Sequence, residues 1–250
     1  METFYLTDTG IVWDHNEDSV IIIKNSDDAI LMAVADGMGG HRAGEVASSI
    51  AISCLSARFR ESFFKMKKAS AVEWIKDCYD EINSRIFKYT EENPESTGMG
   101  TTLVMAIITK EYILFGNTGD SSGFIMKDKK LRKVTYDHTY VNCLIERGEI
   151  TKEEAINHPK RNILMHALGI SDPIKVDAFD CSMDVDEILL CSDGLTTMLS
   201  EEQIEKVLLE DLTIEEKVVK LIKKANNRGG NDNISVAYLI KNKEESDSLW

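Results

Sequence analysis

The chain has 250 residues, 43% of them hydrophobic, and a formal net charge of −14 at pH 7. That apolar content is enough for a sizeable core, while so acidic a surface repels nucleic-acid phosphates and anionic membrane leaflets, which argues against both as partners. Five scattered cysteines without a Cys-x-x-Cys pair predict reduced thiols in a cytoplasmic protein, and neither a leader-type segment nor an apolar run of roughly 18 residues is present.

Three prolines and no Pro-rich or Ser/Gly-rich tract predict one domain over residues 1–240, followed by a polar tail, 241–250. Phe4 to Thr9 is predicted as a strand that Gly10 breaks. Trp13-Asp14-His15-Asn16-Glu17-Asp18 then leads into an apolar strand, Val20 to Ile23. Three acids within five positions repel one another unless a cation lies between them; an exposed hairpin lip is the alternative. The apolar run Ala29 to Ala35 delivers Asp36 to a strand end, and Gly37, Gly39, Gly40 and Gly44 let the backbone turn before a helix begins at Glu45. Taken alone, Asp36 reads as a helix cap as well as a ligand.

Apolar residues at helical spacing predict helices over Glu45 to Phe64 and over Val72 to Ile86, the second opened by a Ser70–Glu73 capping box and ended at Asn93-Pro94. The pattern then changes to β-branched runs, Thr101 to Thr109, Tyr112 to Asn117, Gly123 to Lys127 and Lys130 to Thr135, read as one antiparallel meander interrupted by Gly119-Asp120-Ser121. Residues 136–169 depart from the sheet pattern and contain Asp137-His138 and a helix capped by Thr151 and Glu154. So long an excursion forms either a flap over a site or a structural subdomain. Strands resume at Lys175 to Phe179 and Glu187 to Cys191, the latter delivering Ser192-Asp193-Gly194. Helices opened by Ser200 with Gln203 and by Thr213 with Glu216 precede Arg228-Gly229-Gly230-Asn231-Asp232-Asn233 and a last strand, Ile234 to Ile240.

Four glycine-accompanied aspartates, Asp36, Asp120, Asp193 and Asp232, are thus expected at strand ends, with Glu17 and Asp18 ahead of another. If those ends converge, a divalent cation resolves the repulsion, and oxygen-only ligands select Mg or Mn over zinc or copper. Two ions sharing a carboxylate can activate water and clamp a phosphoryl group.

In order along the chain, Asn16-Glu17-Asp18, Val34-Ala35-Asp36-Gly37-Met38-Gly39-Gly40-His41, Gly100-Thr101-Thr102, Gly119-Asp120-Ser121, Asp137-His138, Ser192-Asp193-Gly194-Leu195 and Gly230-Asn231-Asp232-Asn233 resemble the metal-dependent Ser/Thr protein phosphatases of the protein phosphatase 2C family in their bacterial form. The resemblance implies an α+β fold, a four-layer αββα sandwich of two antiparallel sheets flanked by helix pairs. It implies that Asp36 bridges two Mn or Mg ions, that the Gly37 carbonyl and Glu17 complete one of them, and that Asp193 and Asp232 hold the other. Asp18 is carried over as a water-mediated ligand, and Asp120 with Asp193 as a third, weaker site. Metal-activated water then attacks phosphoserine or phosphothreonine directly, with no covalent phosphoenzyme. The expected partners are phosphorylated proteins and a Ser/Thr kinase that shares them, and the protein is expected to be a monomer. A pseudophosphatase that binds partners through the flap, and a phosphatase dedicated to one regulatory phosphoprotein such as an anti-anti-sigma factor, are the alternatives.

Two positions depart from the family pattern. Trp13 stands where many relatives carry an arginine that grips the substrate phosphate, and Ser122 follows Gly119-Asp120-Ser121 where an arginine is common. Trp13 and His41 are the substrate-side candidates, with weaker ground-state phosphate binding expected and Trp13 as a packing residue the alternative.

Overall fold

The computed structural model describes residues 1–40, 43–62 and 67–241. Its strands are β1 (Glu2–Asp8), β2 (Asp18–Lys24), β3 (Ile30–Met38), β4 (Gly100–Thr101), β5 (Leu103–Ile108), β6 (Ile113–Thr118), β7 (Ser122–Lys127), β8 (Lys130–Lys133), β9 (Asp177–Cys181), β10 (Glu187–Cys191) and β11 (Ile234–Ile240). Its helices are α1 (Ala43–Glu61), α2 (Lys68–Glu92), α3 (Tyr140–Glu146), α4 (Lys152–Ile156), α5 (Asp193–Thr196), α6 (Glu201–Leu208) and α7 (Ile214–Asn226).

One sheet runs β1-β11-β10-β7-β8 and the other β2-β3-β5-β6-β9, with β4 attached to β3. Every strand pair is antiparallel. The period-two alternation of the strands assigns each side chain to a layer. In β3, Met32 and Val34 join Val104, Ala106, Ile188, Leu190, Ala237 and Leu239 in the core between the sheets. The intervening Leu31, Ala33 and Ala35 face the other way, onto Leu55 and Phe59 of α1 and Ile75, Tyr79 and Ile82 of α2. On the far side of the first sheet, Leu189, Val236 and Tyr238 pack on Ile204 and Val207 of α6 and Val218 and Leu221 of α7. Three apolar layers between four layers of structure give the αββα sandwich.

Several expectations are corrected. Strands β5–β6 and β7–β8 are hairpins of different sheets, so the run from Thr101 to Thr135 is not one meander; the chain crosses between the sheets at Gly119-Asp120-Ser121. Strand β3 continues through Asp36 to Met38 because Gly37 and Met38 pair with Thr101 and Gly100, so Asp36 lies inside a strand. Ser70 does not cap α2, which begins two residues earlier behind Lys67 without a side-chain cap. The boxes at Thr151, Ser200 and Thr213 do form. The end of the first predicted helix, at Phe64, and tail residues 242–250 lie outside the described residues.

Candidate metal centre

A cleft of ≈ 900 Å³ opens at one end of the paired sheets, and Glu17, Asp36, Gly37, Asp120, Asp193 and Asp232 all line it. The sheet register accounts for the convergence. Asp18 stands directly opposite Asp36 in the β2–β3 ladder. The crossing between sheets presents Asp120, α5 opens at Asp193, and Asp232 lies two residues ahead of β11. Asp18 does not line the cleft. It is only 8% exposed, beneath the other acids, where its Oδ2 accepts a hydrogen bond from Ser192 Oγ at 2.8 Å. His41 lies outside the described residues.

Hydroxyls and amides fix the acids. The Asp36 backbone N–H donates to Thr102 Oγ1 at 3.0 Å, Thr101 Oγ1 donates to the Asp36 carbonyl at 2.9 Å, and Thr102 Oγ1 contacts Ser121 Oγ at 2.7 Å, beside Asp120. Asn233 accepts from the Glu17 N–H at 2.8 Å and donates to the Thr9 and His15 carbonyls at 2.8 and 3.0 Å, which ties the Glu17 loop to the Asp232 loop. Gly37 is required where these parts meet, since a Cβ there would lie 2.2 Å from the Gly44 carbonyl oxygen and 2.5 Å from that of Glu17. Gly119 is required too: its φ is +101° and a Cβ would sit 2.6 Å from Thr102 Cβ.

These positioning residues carried no role in the sequence. Thr101, Thr102, Ser121 and Asn233 stand in the motifs, but small polar residues beside acids are also ordinary turn formers, so nothing in them singles out a supporting hydrogen bond. His138 belongs with them. Its ring accepts from the Gly119 N–H at Nδ1, 3.3 Å away, and meets Asp177 Oδ2 at 2.9 Å through Nε2. Its backbone N–H donates to the Gly119 carbonyl at 2.9 Å. The neighbouring Asp137 accepts from Lys133 Nζ at 2.7 Å on both oxygens.

The excursion over residues 136–169 reaches the cleft, because Asn162 and Leu164 line it. Leu164 bridges back to Thr139 and Leu168 to Thr101, which docks this segment beside the metal-side strands.

Burial and mutual repulsion govern the electrostatics. Burial pushes Asp18 up to about 7, with Asp193 and Asp232 adding to the rise and bonds from Ser235 and Ser192 opposing it. Asp193 is pushed up to about 6, by burial and then by Asp232. Asp36 stands well above the usual carboxylate range through burial, then through Asp18, Asp193, Asp120 and Asp232. Asp120 is raised by burial, then by Asp193 and Asp137. Glu17 is raised by burial, then by Glu45 and Asp232, and Asp232 by burial. No lysine or arginine is among the described residues that line the cleft.

Such a site fits a hard divalent cation. Asp18 Oδ1 and Asp193 Oδ1 are buried without a hydrogen-bond partner, a costly arrangement for a carboxylate unless something positive satisfies it. The donors are oxygens throughout, the set that Mg and Mn prefer. Among the described residues no three acid, histidine or cysteine side chains are drawn together into a ready-made cluster. The acids instead ring the cleft, as mutual repulsion favours.

Both departures from the expected pattern are resolved in place. Trp13 lines the cleft and is 58% exposed, so it is not a buried packing residue. Its Nε1–H is committed to the Asn231 carbonyl at 3.0 Å. Ser122 is 0% exposed, pairs with Cys191 of β10 and lies outside the cleft lining. Its hydroxyl is buried without a hydrogen-bond partner, and nothing in the structure explains the serine.

Residues 13–233 match the family described as Protein phosphatase 2C. The chain is 41% identical over 243 residues to the serine/threonine phosphatase stp of Listeria welshimeri, covering 97% of this chain and 96% of that protein. It is similar to the structure of the Streptococcus agalactiae serine/threonine phosphatase, with a TM-score of 0.90 and 34% identity over 96% of this chain and 99% of that one. It is also similar to the catalytic domain of the serine threonine protein phosphatase PstP in complex with two manganese ions, with a TM-score of 0.79 and 32% identity over 95% and 96% of the two chains.

Proposed function

The chain belongs to the protein phosphatase 2C family and is a metal-dependent protein-serine/threonine phosphatase, and on that premise we propose which of its residues carry the reaction. Asp36, the Gly37 carbonyl and Glu17 would hold one divalent ion, Asp36 with Asp193 and Asp232 would hold the second, and Asp120 with Asp193 would hold a third, weaker one. Asp18 acts from beneath, through the buried oxygen that has no protein partner. Mn is the preferred metal in this reading, supported by the two manganese ions of the PstP structure. When bound, the ions supply an activated water and neutralise the charge that gathers on a transferring phosphoryl group.

The chain's own contribution is placement. Thr101 and Thr102 hold Asp36 from both sides of its peptide unit, and His138 and Ser121 hold the Asp120 loop. Asn233 keeps Glu17 and Asp232 in register. Because the protein side of the cleft presents no lysine or arginine among its described residues, attraction of the phosphate dianion is left to the bound cations. We read residues 1–240 as one catalytic unit, supported by the pairing of β1 with β11, which joins the two ends of that segment in one sheet. Cytoplasmic residence and phosphoproteins shared with a Ser/Thr kinase belong to the same reading. Five free thiols and the lack, among the described residues, of a helix able to cross a membrane are compatible with it.

The observation that carries the assignment is the convergence of Glu17, Asp36, Asp120, Asp193 and Asp232 on one cleft, with Asp193 Oδ1 and, beneath them, Asp18 Oδ1 buried without a hydrogen-bond partner. Hydrolysis of p-nitrophenyl phosphate and of a phosphothreonine peptide tests it. Activity should require added Mn, vanish with chelator and fall by orders of magnitude in Asp193→Asn and Asp232→Asn. Full activity after exhaustive chelation would overturn it.

A further inference from the structure

Ile11, Val12 and Trp13 are three consecutive apolar residues, 67%, 60% and 58% exposed, on a turn at the mouth of the cleft. Scattered exposed apolar residues are ordinary, but a contiguous run beside a site marks a contact surface. The turn is also rigidly mounted. The N–H groups of Ile11 and Val12 donate to the Gly230 carbonyl at 2.8 and 3.3 Å, and Trp13 Nε1 donates to the Asn231 carbonyl at 3.0 Å. Those carbonyls belong to the loop that carries Asp232, so the indole stands at a fixed place beside the acids. With its N–H occupied, it offers a phosphate nothing and offers a substrate only its apolar face. Leu164, from the 136–169 segment, and Met38 line the same cleft.

We propose that Trp13, supported by Ile11 and Val12, is a specificity-determining surface that selects phosphopeptides with an apolar side chain next to the phosphoresidue and disfavours acidic ones. The preference against acids follows from the rim itself, where Asp14, next to Trp13 and outside the proposed metal ligands, lines the wall and no lysine or arginine among the described lining residues offsets it. Continuity with the cleft identifies the occupant: a chain whose phosphoresidue reaches Asp36 and Asp193 must lay its neighbouring residues across the rim that includes Trp13. This inference rests on the phosphatase reading above and names the substrate class for the same site.

The test is a set of matched phosphothreonine peptides carrying Phe, Ser or Asp on both sides of the phosphoresidue, assayed with the Mn-loaded enzyme. Covering one apolar side chain by about half predicts a kcat/KM for the Phe peptide about tenfold above the Ser peptide, with the Asp peptide lowest. In Trp13→Ala that ratio should fall to within about threefold. Because Trp13→Ala also releases Asn231 and can lower all rates, the ratio is the readout, and the Ile11→Ser/Val12→Ser double variant, which keeps the indole bond, should lower it as well. Direct binding of the corresponding non-hydrolysable phosphonate peptides, followed by fluorescence, should show the same order. Equal kcat/KM for the three peptides alongside normal hydrolysis of p-nitrophenyl phosphate would overturn the specificity proposal and leave the phosphatase reading standing. Absence of hydrolysis of every substrate would overturn both. A ratio that survives Trp13→Ala while that variant dissociates a wild-type dimer would assign the surface to a second copy of the chain and overturn it too.

Discussion

Removing the metal should make the fold sensitive to pH in a direction opposite to that of most proteins. In the metal-free fold Asp18 is pushed up to about 7 and Asp193 to about 6, in each case chiefly by burial, whereas an unfolded aspartate titrates near ~3.9. Between those values the folded state binds more protons than the unfolded one, so stability is greatest at low pH in this window and is lost as pH rises. Ionising one aspartate raised that far costs roughly 3 to 4 kcal/mol. The Asp193 charge is part of the reason for the rise of Asp18, so the two together cost less than their sum, on the order of 5 kcal/mol, or about 10 to 20 °C of melting temperature for a chain of this size. Asp36 and Asp120, raised by burial and by their acidic neighbours, and general repulsion in an acidic protein act in the same sense, while His166, lowered by burial and then by His138, acts in the opposite one. A variant therefore isolates the effect. Chelated wild-type protein should melt about 10 °C or more lower at pH 8 than at pH 5, and Asp18→Asn, which keeps an acceptor for Ser192, should make that slope shallower by the share Asp18 carries. Mn at about 100 times its dissociation constant should return ~2.7 kcal/mol at pH 8. A melting temperature that is flat or rises from pH 5 to pH 8, or an unaltered slope in Asp18→Asn, would refute the reasoning.

Asp36→Asn should cost several orders of magnitude in turnover while raising the melting temperature of the chelated protein, because the most encircled of the acids is neutralised; unchanged Mn binding by calorimetry would contradict its bridging role. Asp120→Ala should preserve the tight metal pair yet slow phosphopeptides more than p-nitrophenyl phosphate, since an alkoxide needs a proton on leaving and nitrophenolate does not; equal losses would exclude a part in proton delivery. Trp13→Arg introduces a cation where the described cleft lining has none, and should lower the inhibition constant of inorganic phosphate about tenfold; an unchanged constant in a normally melting variant would place the phosphate away from residue 13.

How much of this was legible in the sequence depended on whether a signal was local. The boxes at Thr151, Ser200 and Thr213 each involve residues three apart and were readable. Ser70 and Glu73 carry the same pattern without forming a box, since the helix already runs from Lys68, behind Lys67, and Ser70 lies inside it. The acids themselves were legible from Gly and Asp types at chain breaks. Their convergence was not, since it depends on Asp18 standing opposite Asp36 and on β6 and β7 entering different sheets. A two-sheet partition leaves no local mark on the strands that flank the crossing: β5, β6 and β7 all carry buried residues on both faces, whichever sheet they join. Ser122 illustrates the same limit. In sequence it is one position from a motif and reads as a missing cation, whereas the ladder turns it inward against Cys191.

The same partition explains why so costly a group of acids can be held in one place. Asp36 comes from the second sheet, while Asp193 and Asp232 flank β10 and β11 of the first, and Asp120 sits on the crossing between them. No acid can retreat from its neighbours without disturbing a strand whose side chains fill the core between the sheets. The hydroxyls and amides that might have neutralised the repulsion, those of Thr101, Thr102, Ser192 and Asn233, mostly bond to backbone or to single carboxylate oxygens and bring no positive charge. A cleft built this way holds its ligands rigidly but unsatisfied. Rigidity limits how far they can relax in the absence of cations, and with no lysine or arginine among the described residues that line the cleft, cation binding is the route by which the strain is relieved. Metal affinity and metal-free instability are therefore two readings of one quantity. A substitution that stabilises the chelated fold by neutralising an acid should weaken Mn binding, and the two changes should correlate across Asp18→Asn, Asp36→Asn, Asp193→Asn and Asp232→Asn when melting and calorimetric titration are measured on the same samples.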